Sequence, residues 1–161
     1  GSIVWDTAYV LAEYLASGGY AVKGRKILEL GTGTGFVGLA AALAGGIVTA
    51  TDTADMLHLA EANVAANAAQ VAAARGSIAV CEHRRGRGRG VAAAAVAPPY
   101  DFVIASEVVF SNDLFPPLLD TLCAVTTPST VVVFGARYRA GCSLDTFLEM
   151  AGERFSVTRV E

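Results

Sequence analysis

The chain has 161 residues, enough for one domain of ordinary size and too few for a separate substrate domain. Apolar residues make up 53% and charged residues 17%, a balance that excludes a disordered chain and demands a buried core. A net charge of -3 argues against nucleic acid as the main partner, because phosphate recognition rests on a broad excess of Lys and Arg.

Gly1 and Ser2 read as an expression scar, leaving residues 3–161 as a single domain. Val10, Leu11, Tyr14 and Leu15 recur at helical spacing until Gly18 and Gly19 stop the pattern. A short apolar run, 25–30, then breaks into Gly31, Thr32, Gly33, Thr34 and Gly35 before an alanine-rich stretch, 37–43, which reads as strand, glycine turn and helix. Gly45 and Gly46 end that helix, residues 47–51 give a second strand closing on Asp52, and 56–69 a second helix. Further strands are expected at 78–81, 102–105 and 130–134, and a sixth at 155–160 after a helix over 144–151. Residues 84–97 are low in complexity and read as a loop; the arginine-glycine run within it, 84–89, can be a solvated loop or can hold an acidic partner or RNA. Strands alternating with helices predict an α/β fold with a Rossmann-like, doubly wound parallel sheet. Ligands bind such a sheet beyond the carboxyl ends of its strands.

The glycine turn lies where a strand bends sharply into a helix, and side chains there would keep a ligand from the backbone. Residues 33–38 also satisfy the dinucleotide pattern G-x-G-x-x-G, so the turn alone leaves two cofactors open. If the turn begins at Gly31, the dinucleotide pattern needs a third glycine where Phe36 stands. Glu29 would repel a pyrophosphate but can serve a cationic ligand end, directly or through water. Asp52, closing the second strand, can accept both ribose hydroxyls of either cofactor.

The segment Ile3, Val4, Trp5, Asp6, Thr7, Ala8 and the segment Ser106, Glu107, Val108, Val109, Phe110 together resemble the methyltransferase family 16 protein-lysine methyltransferases. That family pairs V-W-D with D/E-x-x-Y/F. Asn63, Asn67 and the pair Arg137 and Arg139 around Tyr138 extend the likeness, the last resembling the R-x-R of the branch acting on chaperones and elongation factors. The resemblance implies a class I methyltransferase fold and S-adenosyl-L-methionine as cofactor. It implies cofactor contacts from Trp5, the turn from Gly31 through Thr32 and Gly33 to Gly35, Asp52 and Ser106, to which the charge of Glu29 adds a contact for the cationic end. His83 stands where the family has a tryptophan and can still stack on adenine. The family also carries a seventh, antiparallel strand between the fifth and sixth. The chain ends at Glu161, just past the expected sixth, so the resemblance implies that this strand is missing here.

Methyl transfer displaces a sulfonium, so the protein mainly aligns the nucleophile. A lysine amine, with a reference pKa of about 10.4, attacks only when neutral. Glu107 and Phe110 are the catalytic candidates, the acid anchoring the acceptor amine and the ring flanking it, with Tyr138 as a second ring. Other readings are a catalytically inactive domain, a histidine or small-molecule acceptor, and, remotely, a nicotinamide-dependent oxidoreductase. Cys81, Cys123 and Cys142 lack disulfide or metal spacing, and no apolar run reaches the ~18 residues of a membrane span. A cytoplasmic monomer without metal, acting on a protein substrate and not on a membrane, is expected.

Overall fold

A computed structural model describes residues 3–83 and 96–160. The arginine-glycine run 84–89 and residues 1–2 lie outside the described residues. In chain order the elements are α1 (Asp6–Ala16), β1 (Lys26–Leu30), α2 (Phe36–Leu43), β2 (Ile47–Asp52), α3 (Leu57–Ala66), α4 (Ala68–Ala73) and β3 (Ser77–Glu82). After them come β4 (Phe102–Ser106), α5 (Phe115–Val125), β5 (Val131–Gly135) and α6 (Leu144–Gly152). All five strands are parallel, in the spatial order β3-β2-β1-β4-β5. The chain winds outward one way from β1 and the other way from β4, so the topological switch point, where open α/β sheets bind ligands, falls between these two strands.

Each face of the sheet carries its own core, which is why β1 and β4 are apolar almost throughout. On one face Ile27, Val48, Phe102 and Ile104 pack against Leu11 and Leu15 of α1, Val37 and Leu39 of α2 and Val71 of α4. On the other, Leu28, Leu30 and Val103 meet Phe115, Leu118, Leu119 and Leu122 of α5 and Phe147 of α6. Burying a side chain of this size stabilises by roughly 1.5–3 kcal/mol.

Two expectations from the sequence need correction. The helix expected at 56–69 is two helices, broken at Asn67 (φ -108°, ψ 8°), whose side-chain amide donates to Asn63 O at 2.8 Å. No strand forms at 155–160. Alternating apolar residues prepare a segment for a sheet but supply no partner for its backbone, and Val157 and Val160 stay exposed. Between this segment and β5, an edge strand of the sheet, runs a groove of about 570 Å³ lined by Val132, Val133, Phe134 and Val157. Among the described residues, no helix is long and apolar enough to cross a membrane.

Candidate functional site

The glycine turn continues the pairing of β1 with β2 beyond the strand end: the N–H groups of Gly31 and Thr32 both donate to Thr51 O at 2.9 Å. Gly31 (φ 75°) and Gly33 (φ 53°) then take left-handed conformations that side-chain-bearing residues rarely adopt, and this sharpens the turn toward α2. Asp52 holds the turn from β2. One carboxylate oxygen accepts Gly33 N–H and the other Thr53 N–H, each at 2.8 Å. From α3, Asn63 donates to Thr34 O at 2.8 Å, so its place on that helix is explained by the turn it pins.

Above this floor opens a cleft of about 330 Å³, lined by Gly31, Asp52, Thr53, His83, Phe110 and Leu114. His83 follows β3 directly, its N–H donating to Asp52 O at 2.8 Å, and its ring is buried. Phe110 is half exposed because Val108 and Val109 before it plunge into the core. Each oxygen of Asp52 spends one lone pair on the backbone and keeps another for a ligand hydroxyl.

Glu29, Thr32 and Gly35 lie under and beside the turn. Glu29 shares its strand face with Ile27, and the residue is only 2% exposed. It accepts Thr32 Oγ1–H at 2.5 Å and the backbone N–H of Gly38, in the first turn of α2, where a negative group suits the helix dipole. A methyl at Gly38 would land on that carboxylate. Burial pushes the Glu29 pKa up to about 7, against the lowering effect of its two hydrogen bonds. Glu29 thus acts on the turn from beneath, without a surface of its own in the cleft. Gly35 packs against α3, where a Cβ would stand 3.3 Å from Ala60 Cα.

A second cluster gathers at the end of β4. Glu107 donates its N–H to Gly135 O at 2.8 Å, extending the β4–β5 pairing, yet takes φ 57°. A non-glycine residue in that region carries about 1–3 kcal/mol of strain, so its surroundings must hold it there. Thr7 Oγ1 donates to Glu107 Oε1 at 2.9 Å and lies 2.9 Å from Ser106 Oγ. Arg139 bonds the other oxygen, and Arg137 Nε stands 3.6 Å from the first. Both guanidiniums lie over the Trp5 ring, 5.3 Å from its centroid for Arg137 and 4.8 Å for Arg139.

The predicted residues therefore divide. Gly31, Asp52, His83 and Phe110 share the cleft; Trp5, Ser106 and Glu107 form the neighbouring cluster; Glu29, Thr32 and Gly35 support the turn. Sequence reasoning quoted Thr7 within the family-like segment but gave it no role, and it noted Arg137 and Arg139 without their carboxylate partner. No spacing rule joins residues some 100 and 32 positions apart.

A family model described as "Lysine methyltransferase" matches residues 1–154. Protein N-lysine methyltransferase METTL21A of Danio rerio is 35% identical over 159 residues, 99% of this chain and 70% of that protein. EEF1A lysine methyltransferase 3 of Mus musculus is 36% identical over 144 residues, and the match spans 89% of this chain and 59% of that one. Among solved structures, a precorrin-6y C5,15-methyltransferase from Geobacter metallireducens superposes with a TM-score of 0.59 at 16% identity, covering 90% of this chain and 65% of its own. A putative sarcosine dimethylglycine methyltransferase from Galdieria sulphuraria gives 0.56 at 21% identity, covering 80% and 44%. At such identities these two show a shared fold.

Proposed function

Because this chain belongs to the lysine methyltransferase family, we propose that it transfers a methyl group from S-adenosyl-L-methionine to the side-chain amine of a lysine on another protein. The observation that supports the donor half of this reading is Asp52, a carboxylate fixed by Gly33 and Thr53 at the floor of the cleft, with lone pairs left for a ribose diol, while the lysine acceptor rests on the family match. The lining fits a nucleoside: a diol acceptor, open glycine backbone and the flat ring of His83. Trp5 and Ser106, at the edge of the neighbouring cluster, complete the contacts that the family likeness implies.

Bound there, S-adenosyl-L-methionine supplies a methyl group already activated by its sulfonium, so the chain needs no nucleophile of its own. Asp52 accepts the ribose hydroxyls, and the turn brings backbone N–H groups beside the ligand. Glu107 anchors the acceptor amine and Phe110 walls its approach. A carboxylate favours the charged amine, so the proton leaves to water and Glu107 is an anchor, not a general base. The name of the murine relative, EEF1A lysine methyltransferase 3, supports an acceptor of the elongation-factor type. The three cysteines, all free, favour the cytoplasm as the place of action.

The test is incubation of the chain and labelled S-adenosyl-L-methionine with a protein extract from cells lacking it. Acid hydrolysis of the labelled protein should release the label as methyl-lysine. Label released as methyl-histidine, or none in protein, would overturn the reading.

A further inference from the structure

Glu107 is nearly enclosed, its side chain only 4% exposed. Oε1 receives the Thr7 hydroxyl and faces Arg137, while Oε2 is bonded to Arg139. An acceptor ammonium, larger than water, can reach this carboxylate only if a present partner moves aside. Thr7 is fixed near the start of α1 and shared with Ser106. Arg137 is drawn two ways, since its Nη1 also lies 3.8 Å from Asp6. Arg139 makes the bond that blocks Oε2.

Two observations mark Arg139 as the group that moves. Its Nε is buried with no hydrogen-bond partner among the described residues, so the guanidinium is imperfectly seated; a buried unmet donor is unfavourable by about 1–3 kcal/mol. Its backbone, by contrast, is tied down. Arg139 pairs with Cys142 in an antiparallel bridge, where Cys142 N–H donates to Arg139 O at 3.3 Å. Only the side chain is free to leave, and because the guanidinium in its present seat lies over the Trp5 ring, its departure changes that ring's surroundings.

We infer that Arg139 occupies the seat that the acceptor lysine's ammonium takes at Glu107, as a resident counter-ion which the acceptor displaces. This rests on the reading of Glu107 as the amine anchor. Exchange of one cation for another keeps the buried carboxylate paired throughout, whereas an empty seat would leave a buried charge exposed to its full desolvation penalty. It also makes the site selective: a ligand must bring a positive charge on a chain long enough to reach Oε2.

The probe is n-butylammonium, a lysine side chain without its backbone, titrated into the chain saturated with S-adenosylhomocysteine. Sodium chloride at equal ionic strength is the blank. Binding is read by ligand line broadening in NMR, and departure of Arg139 by the emission of Trp5, the only tryptophan in the chain. Wild type should bind saturably with a parallel change in Trp5 emission, and Arg139→Met should bind several-fold more tightly, because no resident cation competes. Arg139→Gln should do the same and serves if the Met variant does not fold. Wild-type binding without a Trp5 change, or folded variants that bind no more tightly, would overturn the inference. If Glu107→Gln bound n-butylammonium as wild type does, the failure would lie instead in the reading of Glu107 as anchor.

Discussion

Replacing Glu29 with Gln should make the protein more stable at high pH and leave it almost unchanged near pH 5. Glu29 is 2% exposed, and burial raises its pKa from 4.5 to about 7. A carboxyl raised in the folded state binds more protons there than in the unfolded chain across that window. Its protonated form therefore belongs to the stable protein, and stability falls as pH rises from about 4.5 through about 7. At about 1.4 kcal/mol per tenfold change in proton affinity, the ionised group destabilises the fold by on the order of 3 kcal/mol above neutrality. Gln removes the charge and retains an oxygen that can accept from Thr32 or Gly38. The assay is urea unfolding of both proteins from about pH 5 to pH 8.5, because subtracting one from the other cancels every other titrating group. The stability difference should grow from near zero to a few kcal/mol in favour of Gln. A difference that stays flat, or a variant that loses stability most at high pH, would show that Glu29 is ionised in the fold and that its two hydrogen bonds outweigh its burial.

Asp52→Ala should weaken S-adenosylhomocysteine binding by about 1.5–3 kcal/mol per charged hydrogen bond lost, measured by calorimetry. Unchanged affinity with a lowered melting temperature would limit Asp52 to fixing Gly33 and Thr53. Gly38→Ala should destabilise by about 1–3 kcal/mol, since its methyl falls on the Glu29 carboxylate. Much of that loss should disappear when Glu29 is also replaced by Ala, and a double-mutant cycle without coupling would contradict the contact.

The sheet was legible because each strand is an apolar run cut off by glycine or a polar residue, as Leu30 is by Gly31 and Ala50 by Thr51 and Asp52. The site's position followed, since ligand-bearing residues must sit where such runs end. Period-two alternation also places Glu29 beside Ile27 and opposite Leu28 and Leu30, which foretells a buried face; attention to the ligand's charge pointed it toward the cleft instead. Helix α5 was not anticipated, because Pro116 and Pro117 look like breakers, though the first turn of a helix tolerates proline, its N–H groups being unpaired there in any case. The break at Asn67 is hidden between alanines that favour helix on both sides. Residues 155–160 carry the alternation of a strand, but strand formation depends on a neighbour that no local pattern encodes. For the same reason nothing in the residues around Glu107 announces Thr7 or Arg139, whose contacts depend on the finished fold.

The most direct measurement pairs two quantities on Glu107→Gln: S-adenosylhomocysteine affinity by calorimetry, and the rate of methyl-lysine formation on the acceptor recovered from the extract. The substitution keeps the shape and removes the charge at the amine anchor, away from Asp52. Donor affinity should stay within about twofold of wild type while lysine methylation falls by tenfold or more, the loss of about 1.4 kcal/mol or more expected when a charged hydrogen bond is removed. Equal losses of donor affinity and methylation would assign Glu107 to the cofactor site and contradict the division of labour between the cleft and the cluster beside it.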